Sequence, residues 1–578
     1  MVILQWPAFP MTLAIVEADL PPRALLVRWC LFATVMIVTL GLARSMSRLV
    51  AGLVAVAVSI YCTICAALAF YRLYTHEWVD LMLVIAIPRD SIATLRTVVG
   101  DRGVAAIVVM LLVHVVLYFF SAMAIARAAA AEPAARRQTL FATIVLVPIA
   151  AWAGAPHSGL LVDWTISRRT ETIRPIMDRT PYTIAPAEPV FLVQLESLNA
   201  IAVNGEYETD GKRVRVDGIP VMRRLAEEGI LFTHMWNVDV QTHRVQQAFL
   251  CGAIRNMSAR TFYRQVMYSG GCVPDLFRKA GYRTIFLKGV DDPAFAEANT
   301  IMPRIGYQDV RFDEFMEPGD ENHLWGYEEG IYFQRSMDYL ERTYKPGDRL
   351  FVHFAVSAHH AAFARTSKSL EWFHAPHAKQ VDDYIASARK QDAAVAPLIE
   401  RIRRFTGGNA HIFVFGDHSY PVRLYGAIMP WDGATIDNFV TVMLYLPPRT
   451  RAAEFALGRT IDTLHGQTDL AATLAELTSG KPHPNSLVPF MLRKPPAQFD
   501  YERCHVMTQP YGTRKVLIAH GEKAYVYSFD KRCIETFRLT YDPLRQHPVA
   551  TECNVDFADF EQRYMCARYR PALTPVIR

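Results

Sequence analysis

Apolar positions along this chain fall into three regimes. In the first, up to about residue 156, they are nearly continuous. Stretches at about 25–43, 49–71, 103–127 and 138–155 approach the ~20 apolar residues that a helix needs to cross a bilayer. Arg44 and Arg48 separate the first two stretches, and Arg127, Arg136 and Arg137 separate the last two. The positive-inside rule places both basic loops in the cytoplasm and everything after about residue 156 on the opposite side. Residues 2–16 are also apolar but are broken by Pro7 and Pro10, which allows a fifth span without requiring one. No compact apolar run with a basic start and a small-residue cleavage site opens the chain, so a cleaved signal peptide is not expected.

After a polar connector rich in Arg and Pro at 157–188, the pattern changes to short apolar runs alternating with amphipathic ones. PVFLVQLESLNA (189–200), TIFLKG (284–289), LFVHFAVS (350–357), HIFVFG (411–416) and FVTVMLYLP (439–447) read as strands apolar on both faces. Helical periodicity occupies 219–229, 327–344, 382–405 and 468–477. Such alternation predicts an α/β domain at 189–495, built on a doubly wound, mostly parallel sheet covered by helices on both sides. In the third regime, 496–578, KVLIAHGEKAYVYSF (515–529) and CIETFRLTY (533–541) alternate strictly, predicting a small antiparallel β subdomain. The predicted order is therefore a transmembrane helix bundle (1–156), connector, α/β domain and C-terminal sheet.

Charge narrows the partners. A net charge of +5 over 578 residues, with no basic cluster interleaved with aromatics, gives no footprint for nucleic acid. Of nine cysteines, Cys30, Cys62 and Cys65 sit in the apolar stretches and six lie beyond them. An even number in an exported domain fits disulfides, with Cys251–Cys272 and pairs among Cys504, Cys533, Cys553 and Cys566 expected.

Ligands in an open α/β sheet gather at the carboxyl ends of the strands. Those ends carry Glu196, then His359 and His360, then Asp417 and His418. Two carboxylates with imidazoles from three separate strands form a donor set for one divalent cation. Thr242, in the loop WNVDVQTHRVQQAFLCG (236–252), stands either as an ordinary helix N-cap or as a nucleophile. Its hydroxyl attacks at neutral pH only if a metal or an adjacent base activates it.

In this order the motifs resemble the membrane-anchored lipoteichoic acid synthase and phosphoglycerol transferase group of the alkaline phosphatase/sulfatase superfamily. LVQLESLNA resembles its strand ending in Leu-Glu-Ser, and Thr242 to Gly252 its nucleophile segment. VPDLFRKAGYRTIFLKG is similar to its Leu-x-x-Ala-Gly-Tyr-x-Thr segment, VSAHHAAF to Ser-Asn-His-x-Pro-Phe, FGDHSY to Tyr-Gly-Asp-His and RLTYDPL to its tail motif. The resemblance implies that Glu196, Thr242, Asp417 and His418 hold one Mn²⁺ or Mg²⁺, with Zn²⁺ compatible, and that Thr242 is the nucleophile. His359 is then expected to contact the phosphate or the leaving group. The implied donor is a phospholipid, phosphatidylglycerol first, whose phosphoglycerol passes through a phospho-threonine to an extracytoplasmic glycan or polymer, releasing diacylglycerol. The implied location is the bacterial cytoplasmic membrane, with the catalytic domain in the periplasm or cell exterior.

Head-group recognition departs from the family pattern. Phe295-Ala296-Glu297-Ala298 stands where the family has Phe-Trp-Asn-Arg, Val422 where it has a serine, and His360 and Ala362 where it has an aromatic residue and proline. Arg244 and His360 are the substitutes expected to bind substrate. Phosphoethanolamine transfer, or hydrolysis of a related phosphodiester, is the alternative chemistry; Leu-Glu-Ser rather than Gly-Glu-Thr favours the phosphoglycerol branch. A sulfatase using a formylglycine made from Cys251 matches only Cys251 and Arg255 of its motif. A metal-free binding or regulatory protein is the reading without catalysis, and the retained Glu196, Thr242, Asp417 and His418 argue against it.

Overall fold

Four apolar runs of the second regime become strands in which every residue is buried: Val190–Leu195 (β1), Leu350–Ala355 (β5), His411–Gly416 (β6) and Val440–Leu446 (β7). A computed structural model describes residues 171–173 and most of 188–565. Segments 253–265, 364–375, 421–438, 493–503 and 539–547 and some shorter breaks lie outside the described residues. So do the four apolar stretches and both chain ends, and the expectation of a transmembrane bundle rests on the sequence. The chain divides into two units, Met1–Arg168 and Arg169–Arg578. Among the described residues no helix is long and apolar enough to cross a membrane.

The remaining strands of the central sheet are Ile230–Trp236 (β2), Arg283–Lys288 (β3), Asp309–Arg311 (β4) and Arg459–Ile461 (β8). Their order across the sheet is β8-β2-β7-β6-β1-β5-β3-β4, with His465–Gly466 paired to β2 as a ninth, two-residue strand. All neighbours run parallel except β7, which is antiparallel to both β6 and β2. The run FVTVMLYLP is as apolar as its parallel neighbours, because burial on both faces and not strand direction sets that pattern.

One face of the sheet (Val190, Leu192, Phe286, Phe351, Phe413, Phe415) packs under Thr242–Cys251 (α1), Val273–Lys279 (α2) and Thr468–Ser479 (α5). The other face (Phe191, Val193, Leu195, Val352, Phe354, Ile412, Val414) packs on Glu329–Thr343 (α3) and the 29-residue His377–Phe405 (α4). The register sets Gln194 opposite both Ala355 and Phe415, and Leu195 opposite Gly416, so the carboxyl ends of β1, β5 and β6 finish at one level. Gly416 closes β6 where a Cβ would run into the Thr441 hydroxyl and the Leu198 side chain.

The C-terminal part is a five-stranded antiparallel meander: Cys504–Gln509 (β9), Lys515–His520 (β10), Lys523–Ser528 (β11), Cys533–Arg538 (β12) and Ala550–Cys553 (β13). Disulfides join Cys251 to Cys272 and Cys533 to Cys553. Cys566 lies outside the described residues. The connector at 157–188 contributes one short strand, Glu171–Ile173, paired in parallel with Val266–Tyr268.

Substituting Gly416→Ala overpacks the end of β6, and a loss of about 1–3 kcal/mol follows. The expected readout is a lowered thermal midpoint of the metal-free protein; an unchanged midpoint would refute the close packing at this strand end.

Candidate metal centre and nucleophile

Beyond Leu195 the chain turns sharply: Ser197 adopts φ 53°, a left-handed conformation that costs a non-glycine residue energy. The turn aims the Ser197 amide at Asp417 Oδ1 (2.9 Å) while the Ser197 hydroxyl donates to Glu196 Oε1 (2.7 Å). The His418 amide also donates to Asp417 Oδ1, at 2.7 Å, and the Gln194 amide donates to Oδ2 at 3.0 Å. Gln467, just before α5, donates from its side chain to the carbonyls of Gly416 (3.0 Å) and Asp417.

Glu196, Asp417 and His418 are all buried, and each offers a ligand atom within 4.8 Å of the others. His418 Nε2 lies 3.2 Å from Glu196 Oε1 and 3.8 Å from Asp417 Oδ2, while its Nδ1 lies 3.0 Å from the Ser419 carbonyl. Donation from Nδ1 to that carbonyl leaves the Nε2 lone pair for a cation whenever the ring is neutral. Thr242 completes the group from the first turn of α1. Its Oγ1 donates to Glu196 Oε2 at 3.2 Å and lies 3.3 Å from His418 Nε2.

Electrostatics show what this cluster wants. Burial alone would raise Glu196, but the hydrogen bond and charge of His418 bring it down to about 2. Burial and then the negative charge of Glu196 push Asp417 up to about 6. For His418 burial opposes protonation, yet the charges of Asp417 and Glu196 outweigh it and lift the ring to about 10. A proton on His418 thus compensates two buried carboxylates, which is the place a divalent cation takes. The donor set of carboxylates, imidazole and hydroxyl suits Mn²⁺, Mg²⁺ or Zn²⁺.

His359 is fully buried. Its Nδ1 lies 2.8 Å from the Ser387 hydroxyl on α4, and its ring packs 4.8 Å from Phe363 and 4.8 Å from Tyr384. Tyr384 in turn donates to the Ser197 carbonyl (2.7 Å) and accepts from the Asn199 amide (2.7 Å). His360 is half-buried, its ring 4.3 Å from Trp325, and its charge contributes to lowering Glu196.

Arg244 takes a different place from the substrate-binding one expected. Its side chain is fully buried, with Nε 2.5 Å from Asp239 Oδ2 and Nη2 3.3 Å from the Thr508 hydroxyl of β9. Thr508 also donates from Oγ1 to Asp239 Oδ2 (2.8 Å) and from its amide to the Val238 carbonyl (2.9 Å). The guanidinium therefore fastens the loop leading to Thr242 onto the C-terminal sheet. The other end of α1 is tied by Cys251–Cys272, and Phe249 packs edge-on to Phe415 at 4.8 Å.

Sequence reasoning passed over Gln194, Ser197, Gln467, Tyr384, Asp239 and Thr508. One signal was present: Gln194 is the single polar residue within the run VFLVQL. Tyr384 comes from a distant helix, Thr508 from the C-terminal sheet and the rest from loops, where no local pattern marks them.

The sulfatase family matches residues 189–481, about half of the chain. No curated protein matches the chain. Among solved structures, a Vibrio parahaemolyticus protein of the alkaline phosphatase superfamily shares 17% identity over 72% of this chain and 94% of its own, with a TM-score of 0.50. The lipoteichoic acid synthase LtaP from Listeria monocytogenes shares 12% identity over 66% of this chain and 93% of its own, TM-score 0.43. The C-terminal periplasmic domain of EcEptC from Escherichia coli, in complex with Zn, shares 15% over 56% of this chain and 90% of its own, TM-score 0.41.

Two outcomes are expected of the site. The metal-free cluster holds a proton on His418 up to about pH 10 and the metal-bound one does not. Binding therefore releases a proton from His418, so affinity for Mn²⁺ rises with pH, about tenfold per unit between about pH 7 and 9 and more steeply near pH 6, where Asp417 also gives up a proton; calorimetry showing a flat profile would contradict the assignment. Arg244→Met removes the guanidinium that pairs with the buried Asp239, at a cost of about 3–5 kcal/mol. A marked fall in thermal midpoint is the expected result, and an unchanged midpoint would refute the fastening role.

Proposed function

The chain belongs to the sulfatase family, and from that premise we propose that it is a metal-dependent phosphotransferase that moves a phosphoglycerol head group from phosphatidylglycerol to an extracytoplasmic glycan or polymer acceptor. The observation that carries this reading is the Thr242 hydroxyl, 3.2 Å from Glu196 Oε2 and 3.3 Å from His418 Nε2, at the start of a helix tied at both ends. An oxygen so held is a nucleophile in place and not merely a helix cap.

A divalent cation held by Glu196, Thr242, Asp417 and His418 would supply Lewis acidity, favouring loss of the Thr242 proton and neutralising charge that develops on a phosphoryl oxygen. Thr242 Oγ1 attacks the phosphorus as its proton passes to water. The bond from phosphorus to the diacylglycerol oxygen breaks, and His359 gives that oxygen a proton. In the second displacement an acceptor hydroxyl attacks the phospho-threonine and returns its proton to His359, while the departing Thr242 oxygen recovers a proton from water. The Ser387 contact at Nδ1 holds the His359 ring in place for both steps. Apolar stretches before residue 156 keep the site beside its lipid donor, on the extracytoplasmic side of a bacterial cytoplasmic membrane.

Conversion of Cys251 to formylglycine is incompatible with this arrangement. Cys251 is joined to Cys272 and ends the ten-residue helix that Thr242 begins, about 13.5 Å away along its axis.

The test is diacylglycerol release by the purified full-length protein with Mn²⁺ and either phosphatidylglycerol or phosphatidylethanolamine. Release from phosphatidylglycerol that falls about 10³-fold or more in Thr242→Ala, with metal still bound, is expected. Release from phosphatidylethanolamine alone replaces phosphoglycerol with phosphoethanolamine as the cargo. No release from either lipid, with metal bound and an acceptor glycan supplied, overturns head-group transfer.

A further inference from the structure

From Asp417 a file of buried polar side chains runs through the apolar face of the sheet beneath α1. Gln194 Oε1 accepts from the Gln246 side-chain amide at 2.9 Å and lies 3.0 Å from His353 Nε2, and His353 Nδ1 lies 3.0 Å from the Tyr307 hydroxyl. Gln194 and His353 have no exposed surface, and Gln246 and Tyr307 almost none. Phe249 and Phe286 pack edge-on against the His353 ring, at 5.6 and 5.0 Å. Burying this many polar groups in an aromatic core is costly unless every one of them is matched. The metal reading gives them a purpose.

We propose that Gln194, fixed by Gln246, His353 and Tyr307, is the positioning residue that sets the orientation of Asp417 as a metal ligand. This rests on the metal reading of the cluster but not on the identity of the donor lipid. The direction of every proton in the file follows from one end. Asp417 Oδ2 is a carboxylate oxygen and takes a donor, so the Gln194 nitrogen faces it. The reversed amide would set oxygen against oxygen at Asp417 and nitrogen against nitrogen at Gln246. Gln194 Oε1 is therefore the acceptor for two donors, and His353 carries its proton on Nε2. Nδ1 is then bare and accepts from Tyr307. Burial, with the charge of Lys288 nearby, pushes His353 down to about 3, so the ring stays neutral in this single tautomer.

The consequence falls on the lone pairs of Asp417. An ionised carboxylate has roughly four acceptor directions. The amides of Ser197 and His418 take two on Oδ1, and Gln194 takes one on Oδ2. The direction that remains on Oδ2 is the one toward His418 Nε2, 3.8 Å away, and so toward the shared cation position. Without Gln194 the carboxylate rotates, or offers both lone pairs of Oδ2, and the site loses its single geometry.

The experiment is Mn²⁺ affinity by calorimetry on the full-length protein in detergent, with metal alone and no lipid, for wild type, Gln194→Met and Tyr307→Phe. Gln194→Met keeps the volume and removes both the donor and the acceptor; an affinity loss of about 10–100-fold is expected. Tyr307→Phe removes only the hydroxyl at the far end of the file, three residues from the metal, and a loss of about 3–10-fold is expected, smaller because it acts through two intermediates. A purely structural role would lower the thermal midpoint of both variants and leave affinity within twofold of wild type, which overturns the proposal. Should Gln194→Met fail to fold, Tyr307→Phe decides by the same criterion. A wild type that binds Mn²⁺ but releases no diacylglycerol sinks the head-group reading and leaves this one standing; a wild type that binds no Mn²⁺ overturns this one.

Discussion

Two carboxylates buried side by side repel each other, and the rest of this domain is arranged to make that repulsion tolerable. Glu196 and Asp417 come from adjacent parallel strands whose register brings their ends level, which fixes the separation before any side-chain choice is made. In the metal-free protein a proton on His418 sits between them, and backbone amides of Ser197 and His418 point at Asp417. The same concentration of negative charge that lifts His418 to about 10 also makes the position attractive to a divalent cation. A cation bound there would in turn activate the Thr242 hydroxyl, which alone is a poor nucleophile.

Holding Thr242 there takes structure from far along the chain. Helix α1 is anchored at its start by the buried Asp239–Arg244–Thr508 group and at its end by a disulfide to Cys272. The C-terminal meander, which carries no metal ligand among the described residues, therefore contributes Thr508 to the support of Thr242. Strand and helix elements fix side chains more tightly than a free loop does, which the proposed phosphoryl transfer needs because small displacements cost rate steeply.

Much of this was legible in the sequence and some was not, for separable physical reasons. Strands buried on both faces announce themselves as unbroken apolar runs, and strand ends in an α/β sheet are where ligands gather, so Glu196, Asp417 and His418, which the fold brings together, could be named from pattern alone, along with His359 and His360. The direction of β7 was invisible because burial, not polarity of the chain, writes that pattern. β2 was passed over although Gly229 ends the helical stretch before it, because Thr233 and His234 interrupt the apolar run ILFTHMW. Arg244 shows the limit most plainly. Its charge next to the nucleophile suggested a phosphate partner, but its true partner Asp239 is five residues back and Thr508 lies 264 residues on. No spacing rule reaches that far.

The proposed chemistry requires that Thr242 carry the transferred group. Its most direct test is to quench the full-length protein during turnover with Mn²⁺ and phosphatidylglycerol and to sequence the adducted peptide by tandem mass spectrometry. A phosphoglycerol adduct on Thr242, absent from Thr242→Ala and chased by an acceptor glycan, is the predicted result. An adduct on another residue, or sustained diacylglycerol release by the Thr242→Ala protein, would contradict the account.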